Sequence, residues 1–366
     1  MNICVFSPVP PPFHGSNYAV KLLLESEFKD KFNVTHIDTS YVKTLNDIGK
    51  PKLFKAVLFG KYLVKLFREN KKKYFNYIIL IPSFSYWTFI RDSLTILFVA
   101  YFTNIKIILW IHTNDFLVQY GKRNNILKKY MIHVIRKAFK IVTVGNKLKD
   151  NFSEFVPDEK LITIYNGLPA VPYVRTKNKN DVKIEVIFLA NMMVEKGWRN
   201  LLDAAINVCS SYSNVIFKFY GAPSKDSPIE EINYEFARSS FSDRILYMGS
   251  VTGDKKEQAL SEADILCLPS YSEAFPFSIL EAMQYSLPVI ATDTGSISEA
   301  IINGKGGILL QSNNTNELVN ALIYFIENPH KIIEMGEYNK RRFEENFKID
   351  VCVKKWCEFF SKIDKN

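Results

Sequence analysis

Short apolar runs of four to seven residues alternate along the chain with longer stretches whose apolar positions recur at helical spacing. In the first half the runs are Ile3–Ser7, Asn33–Ile37, Tyr77–Ile81, Lys106–Ile111, Lys140–Val144 and Leu161–Tyr165. In the second half they are Ile184–Ala190, Val215–Tyr220, Ile245–Met248, Ile265–Leu268, Pro288–Ala291 and Gly307–Leu310. Most are continuously apolar rather than alternating, the pattern of strands covered on both faces. Helical segments such as Gly197–Cys209 and Lys255–Glu262 lie between them. Strand–helix alternation carried through twice predicts two doubly wound α/β domains. The Pro- and Lys-rich stretch Pro169–Asp181 reads as the joint, which gives domains at 1–170 and 183–366 with a linker at 171–182. The last helix, about Val351–Lys362, is assigned to the second domain by its position in the chain; its packing partner is not readable. In such folds ligands sit beyond the carboxyl ends of the strands, so residues just after strands carry the chemistry.

The length of 366 residues supports two domains of ~150–180 residues each. With 47% hydrophobic and 23% charged residues the chain is globular rather than disordered. Its net charge of +9 is unevenly spread. Residues 1–180 carry 28 basic and 12 acidic side chains, a net +16, and residues 181–366 carry 19 and 26, a net −7. Two domains with different electrostatics imply two kinds of ligand. The five cysteines, Cys4, Cys209, Cys267, Cys352 and Cys357, form no C-x-x-C pair, so they are expected as reduced thiols of a cytoplasmic protein. Met1 leads directly into an apolar strand, without the pattern of a signal peptide. The most apolar stretch, Ser93 to Ile111, is interrupted by Asn104 and Lys106, and reads as a helix followed by a strand rather than a membrane span.

The richest segment follows the run Ile265–Leu268: Ser272-Glu273-Ala274-Phe275-Pro276-Phe277-Ser278-Ile279-Leu280-Glu281-Ala282. Pro276 suits the opening of a helix, which leaves Glu273 in the preceding loop and Glu281 about a turn inside. Amides at a helix start receive phosphate, and carboxylates accept hydrogen bonds from hydroxyls. The combination suits a sugar nucleotide. This segment resembles the Glu-x7-Glu motif of family 4 glycosyltransferases, which have the GT-B fold: two Rossmann-like domains facing across a cleft. The likeness continues in Glu195-Lys196-Gly197, Tyr220-Gly221, Tyr247-Met248-Gly249, Ala263-Asp264-Ile265 through Pro269-Ser270, Pro288–Thr292 with Gly295 and Glu299, and Asn166-Gly167.

The resemblance implies a retaining transfer from a UDP- or GDP-linked sugar to a glycan acceptor, without a metal or other cofactor. It implies that Glu281 binds the ribose hydroxyls and Glu273 the donor sugar. Lys196 would contact the diphosphate and stabilise charge on the leaving group. Ala274, Phe275 and Pro276 would line the donor phosphates; Ala274 stands where the family usually has Gly. The family's usual Arg, five residues before the Lys, is here Asn191, which donates hydrogen bonds but brings no charge; Arg199 is a candidate replacement. Losing such a cation costs ~1–3 kcal/mol where nothing compensates.

In the first half, Pro8–Ser16 follows the first strand and contains neither G-x-G-x-x-G nor a Walker lysine, which speaks against NAD or ATP. Gly15 and Ser16 resemble the family's glycine loop, which faces the donor phosphates; alone they would read as a turn with a Ser cap. His112, just after the run Lys106–Ile111, matches the family's His near the transferred sugar. Asp115 and Ser83 are weaker candidates. From Lys50 to Lys73 there are nine cations and one anion, Glu69, interleaved with apolar residues at helical spacing. Lys122–Lys140 adds seven more cations. A basic amphipathic helix suits an anionic membrane at the inner face of the plasma membrane, consistent with a lipid-linked acceptor in bacterial surface-polysaccharide assembly. No nucleic-acid motif accompanies the charge. Two alternatives stand beside this reading: a GT-B nucleotide-sugar epimerase, and a catalytically weak membrane-associated subunit that keeps the fold.

Overall fold

The structure is a computed structural model that describes residues 1–11, 13–40, 53–172 and 183–364. The expected linker lies outside the described residues from 173 to 182, as do Lys50 and Lys52. The described chain divides into two compact units, Met1–Gly167 with the C-terminal residues from Ile349 onward, and Leu168–Lys348.

The first unit holds β1 (Asn2–Phe6), β2 (Asn33–Ile37), β3 (Tyr77–Leu80), β4 (Lys106–Ile111), β5 (Lys140–Thr143) and β6 (Leu161–Thr163). They pair in the order β2-β1-β3-β4-β5-β6, all parallel. The second holds β7 (Ile184–Leu189), β8 (Val215–Tyr220), β9 (Ile245–Gly249), β10 (Ile265–Leu268), β11 (Val289–Thr292) and β12 (Gly307–Leu310). Their order is β12-β11-β10-β7-β8-β9, again all parallel. Parallel strands need helical crossovers on both faces, so the central strands β3, β10 and β11 are buried along their whole length. That burial is what the continuous apolar runs encode. All twelve expected strands are present, with ends shifted by at most two residues.

The last helix departs from expectation. Residues Ile349–Asp364 belong to the first unit, not to the domain expected over 183–366. Its buried stripe, including Val353, Trp356, Phe360 and Ile363, covers an aromatic face of the first unit. The Trp356 ring centroid lies 5.2 Å from Trp110 and 6.2 Å from Phe28, and Phe360 lies 5.4 Å from Tyr77. The Tyr77 hydroxyl donates to the carbonyl of Ile363 at 3.3 Å. The physical reason is apolar area: Phe28, Tyr77 and Trp110 are buried with this helix in place, and burying rings of this size dominates core energetics.

Trp356→Ala is therefore expected to destabilise the first unit by about 3–5 kcal/mol, measured by urea unfolding; a loss below ~1 kcal/mol would contradict this packing role.

Candidate functional site

In the second unit the strand order reverses between β7 and β10. The chain leaves β7 toward β8 and β9 on one side, then returns to build β10, β11 and β12 on the other. A reversal of this kind is where parallel α/β sheets place ligands, beyond the strands' carboxyl ends. Lys196 stands on the loop after β7 and Glu273 on the loop after β10.

Close backbone approaches hold these loops. Gly197, at φ 73°, closes the turn after Lys196 and opens helix Trp198–Ser211. A Cβ there would lie 1.9 Å from the carbonyl oxygen of Pro269, so the β7 loop presses directly on the β10 loop. Gly295, at φ 56°, does the same from the loop after β11, where a Cβ would fall 2.0 Å from the carbonyl oxygen of Glu273. The amide of Ser296 donates to the carbonyl of Ala274 at 2.9 Å. Only glycine combines a left-handed backbone with so close a contact.

Within this frame the Lys196 ammonium donates to Glu273 Oε1 at 2.9 Å, and Ser270 Oγ donates to the same oxygen at 2.9 Å. The Glu273 side chain is nearly buried and that of Lys196 mostly so. Glu281 lies on helix Phe277–Gln284, where the Lys256 ammonium, from helix Asp254–Glu262, donates to Oε1 at 2.7 Å. Each carboxylate is thus held by its own lysine.

The remaining expected donor residues take specific places. Pro276 is the N-cap of helix Phe277–Gln284 rather than its first residue, and Ala274 lies two residues before it. Phe275 is buried, its ring 5.6 Å from Phe347, so it offers a ligand backbone rather than side chain. Asn191 lies in the turn after β7, where its carbonyl accepts from the Met193 amide at 2.7 Å. Arg199 does not point its charge to this turn: it pairs with Glu231 and stacks over Trp198 at 4.9 Å.

In the first unit, Gly15 and Ser16 already lie in helix Gly15–Glu25, and its cap is His14, not Ser16. The His14 amide donates to Asn17 Oδ1 at 3.0 Å, and Ser16 Oγ lies 3.0 Å from His14 Nδ1. His112 follows β4 directly, with its ring edge-on to Trp110 at 4.4 Å. Its Nε2 is buried without a hydrogen-bond partner among the described residues. Burial first, and the neighbouring His14 second, push its pKa down to about 3, so the imidazole is neutral. Burial also lowers His14. Asp115 is the N-cap of helix Phe116–Gly121, but its carboxylate accepts from Thr113 Oγ1 at 2.6 Å and not from the helix, while the Ser83 amide donates to the carboxylate of Asp92 at 3.0 Å. All five cysteines are free.

Sequence reasoning overlooked Ser270 and Lys256. Ser270 sits in a quoted motif, three residues before Glu273, a spacing that could have flagged it. Lys256 lies on a strongly polar helix and had no local signal, because its partnership with Glu281 exists only in three dimensions.

Residues 173–342 match the family model "Glycosyl transferases group 1". An uncharacterized glycosyltransferase of Methanocaldococcus jannaschii is 28% identical over 252 residues, which are 68% of this chain and 66% of that protein. The aligned part thus spans about two thirds of that relative's length. Among solved structures, a sucrose-phosphate synthase from Thermosynechococcus elongatus superposes with a TM-score of 0.80 at 16% identity, covering 100% of this chain and 99% of that one. HepE of Anabaena, in complex with UDP, superposes with a TM-score of 0.76 at 15% identity, covering 99% of this chain and 100% of that one. These likenesses establish a two-domain α/β fold of the GT-B type.

The His112 environment has a consequence for stability. Unfolded, its pKa is 6.5; folded, it is about 3. Between these values the unfolded state holds the extra proton, so stability falls as pH drops from 6.5, by at most ~1.4 kcal/mol per pH unit. His112→Asn is expected to flatten the decline between pH 7 and pH 5 in urea unfolding. An ordinary imidazole titration near pH 6.5 by NMR would contradict the buried, neutral ring.

Proposed function

We propose that the chain is a group 1 glycosyltransferase that moves a sugar from a UDP- or GDP-linked donor to a lipid-linked glycan, with retention at the anomeric carbon, in surface-polysaccharide assembly. The observation that carries this reading is the Lys196–Glu273 pair, placed on the loops after β7 and β10, the strands between which the order reverses. A diphosphate arriving there competes with Glu273 for the Lys196 ammonium. Glu273 is then released to accept hydrogen bonds from the donor sugar's hydroxyls. As the bond to the anomeric carbon breaks, negative charge grows on the departing phosphate, and Lys196 stabilises it at that moment. Glu281, held at Oε1 by Lys256, keeps Oε2 for the ribose hydroxyls. In this reading Lys196 supplies the positive charge, the Asn191 side chain and the backbone amides of Ala274, Phe275 and Phe277 supply hydrogen bonds, and no metal or other cofactor is assigned a part.

The departing phosphate takes the acceptor hydroxyl's proton on the face it leaves, so no carboxylate nucleophile is required. His112, neutral at pH 7, would serve as a hydrogen-bonding group rather than as a cation, and Gly15 and Ser16 are assigned to the donor phosphates. The first unit carries the acceptor side. Its basic helix Leu53–Lys73 ends in the exposed cations Lys71, Lys72 and Lys73, and these fit an anionic membrane surface. Among the described residues no helix is long and apolar enough to cross a membrane, so the contact would be peripheral. Nucleic acid is not a proposed partner.

The test is nucleotide binding and turnover in two variants. Lys196→Ala is expected to lower turnover at least tenfold, ~1.4 kcal/mol in the barrier, and Glu281→Gln to weaken binding of UDP or GDP in calorimetry. Wild-type turnover in Lys196→Ala, or no binding of either nucleotide at millimolar concentration by the folded protein, would overturn the proposal.

A further inference from the structure

The chain has four tryptophans, and three of them, Trp110, Trp198 and Trp356, are fully buried. The fourth, Trp87, is 57% exposed, and it is not alone. Trp87, Leu94 and Tyr101 recur every seventh residue on helix Tyr86–Phe102 and form one outward stripe, continued by Phe102, which is 71% exposed. The opposite side of the helix buries Phe89, Ile96 and Val99. The 17 residues make a rod about 25 Å long with a hydrophobic outer edge.

Helix Asn125–Arg136 lies beside it. Ser93 Oγ is 2.7 Å from the Tyr130 hydroxyl, and the Tyr101 hydroxyl is 3.0 Å from His133 Nε2. This second helix exposes Asn125 and the apolar Ile126 at its start and, beyond them, Lys129, His133 and Arg136. Just beyond it, the Lys137 ammonium lies 4.4 Å over the Tyr101 ring. The two helices themselves are poor in carboxylates: between Asp92 and Asp150 the chain contains one acidic residue, Asp115, and Asp92 is held inward by Arg91 and the Ser83 amide. Exposed carboxylates, Glu154, Asp158 and Glu159, enter only from the segment on which Arg136 Nε donates to the Phe155 carbonyl at 2.9 Å, at the far end of the second helix. Aromatic and basic side chains therefore dominate this surface.

A contiguous exposed apolar strip of this kind marks an interaction surface. We propose that the paired helices Tyr86–Phe102 and Asn125–Arg136 form a lipid-docking face, on which Trp87, Tyr101 and Phe102 enter the headgroup region of an anionic membrane and Lys129, Arg136 and Lys137 meet lipid phosphates. Trp and Tyr favour this depth because one end of the ring system is apolar and the other hydrogen-bonds. A second copy of the chain fits less well, since a two-fold contact over this face would bring the same cations together. The inference rests on the membrane reading above for its occupant. It differs in placing the hydrophobic part of the contact on a helix pair distinct from the basic helix Leu53–Lys73, so that one region attracts electrostatically and the other inserts.

Trp87 is a built-in reporter, because it is the one exposed tryptophan. The full-length protein is mixed with phosphatidylcholine vesicles, with and without phosphatidylglycerol, carrying brominated acyl chains. The expected result is quenching and a blue shift of tryptophan emission with phosphatidylglycerol vesicles, absent in Trp87→Phe. The double variant Tyr101→Ser, Phe102→Ser, at exposed positions, is expected to keep the wild-type melting temperature and lose vesicle affinity about tenfold or more. The triple variant Lys71→Glu, Lys72→Glu, Lys73→Glu is expected to weaken binding at low salt only and to leave Trp87 quenched once bound. Vesicle binding without quenching would overturn this face while sparing the membrane reading, and no vesicle binding would overturn both. Equal binding to pure phosphatidylcholine would overturn the role of the cations. Lipid-free dimerisation abolished by the double variant would assign the face to a second copy instead.

Discussion

The second unit is organised around one ion pair, Lys196 with Glu273, at 2.9 Å. It bridges the loops after β7 and β10, the two strands between which the chain reverses direction across the sheet. A parallel sheet alone would leave these loops free to splay. Gly197 and Gly295 bring backbone against backbone at distances no side chain could share, and the carboxylate of Glu273 ends up nearly buried with two donors on one oxygen. A nearly buried carboxylate needs a cation, and a mostly buried lysine ammonium beside it needs an anion. Each satisfies the other until a ligand with more negative charge and more acceptors arrives. Under the proposed function, stability and binding would draw on the same contact: the pair bridges the two loops in the free protein, and its exchange for phosphate and sugar hydroxyls is what the donor chemistry would require.

The fold was largely readable because parallel strands leave a strong trace. Runs such as Tyr77–Ile81 and Ile265–Leu268 have no polar alternation, since helices cover both faces, and each became a strand within two residues of its expected ends. Glu273, Glu281 and Lys196 stood out in the sequence because their motifs are contiguous in the chain, whereas the ion pairs they form were not legible there. The C-terminal helix was misassigned for the opposite reason. Trp356 and Phe360 announce a buried face, but nothing local says whose. Only the fold shows the aromatic face of Phe28, Tyr77 and Trp110 that they close. Lys256 escaped for a similar reason: one lysine on a charged helix looks like any other until the sheet brings its tip to Glu281. Arg199, weighed as a replacement for the cation missing at Asn191, is spent on Glu231 and Trp198.

The uneven charge of the chain now has local content. The acidic second half would not draw in a nucleotide by net charge, so under the proposed function binding would rest on a few placed groups, Lys196 and Glu281 among them. The basic first half distributes its cations over surfaces rather than a crevice, beside exposed rings on one helix pair and along the helix ending at Lys73. Its interior chemistry is neutral by contrast. His112 and His14 both resist protonation because burial penalises the charged ring.

The central claim is that the donor's phosphates replace Glu273 at the Lys196 ammonium. A crystal structure of the protein with bound nucleoside diphosphate tests it most directly. The account predicts a phosphate oxygen within hydrogen-bonding distance of Lys196 Nζ and Glu273 withdrawn from it. A nucleotide bound elsewhere, with the Lys196–Glu273 pair still at 2.9 Å, would contradict it.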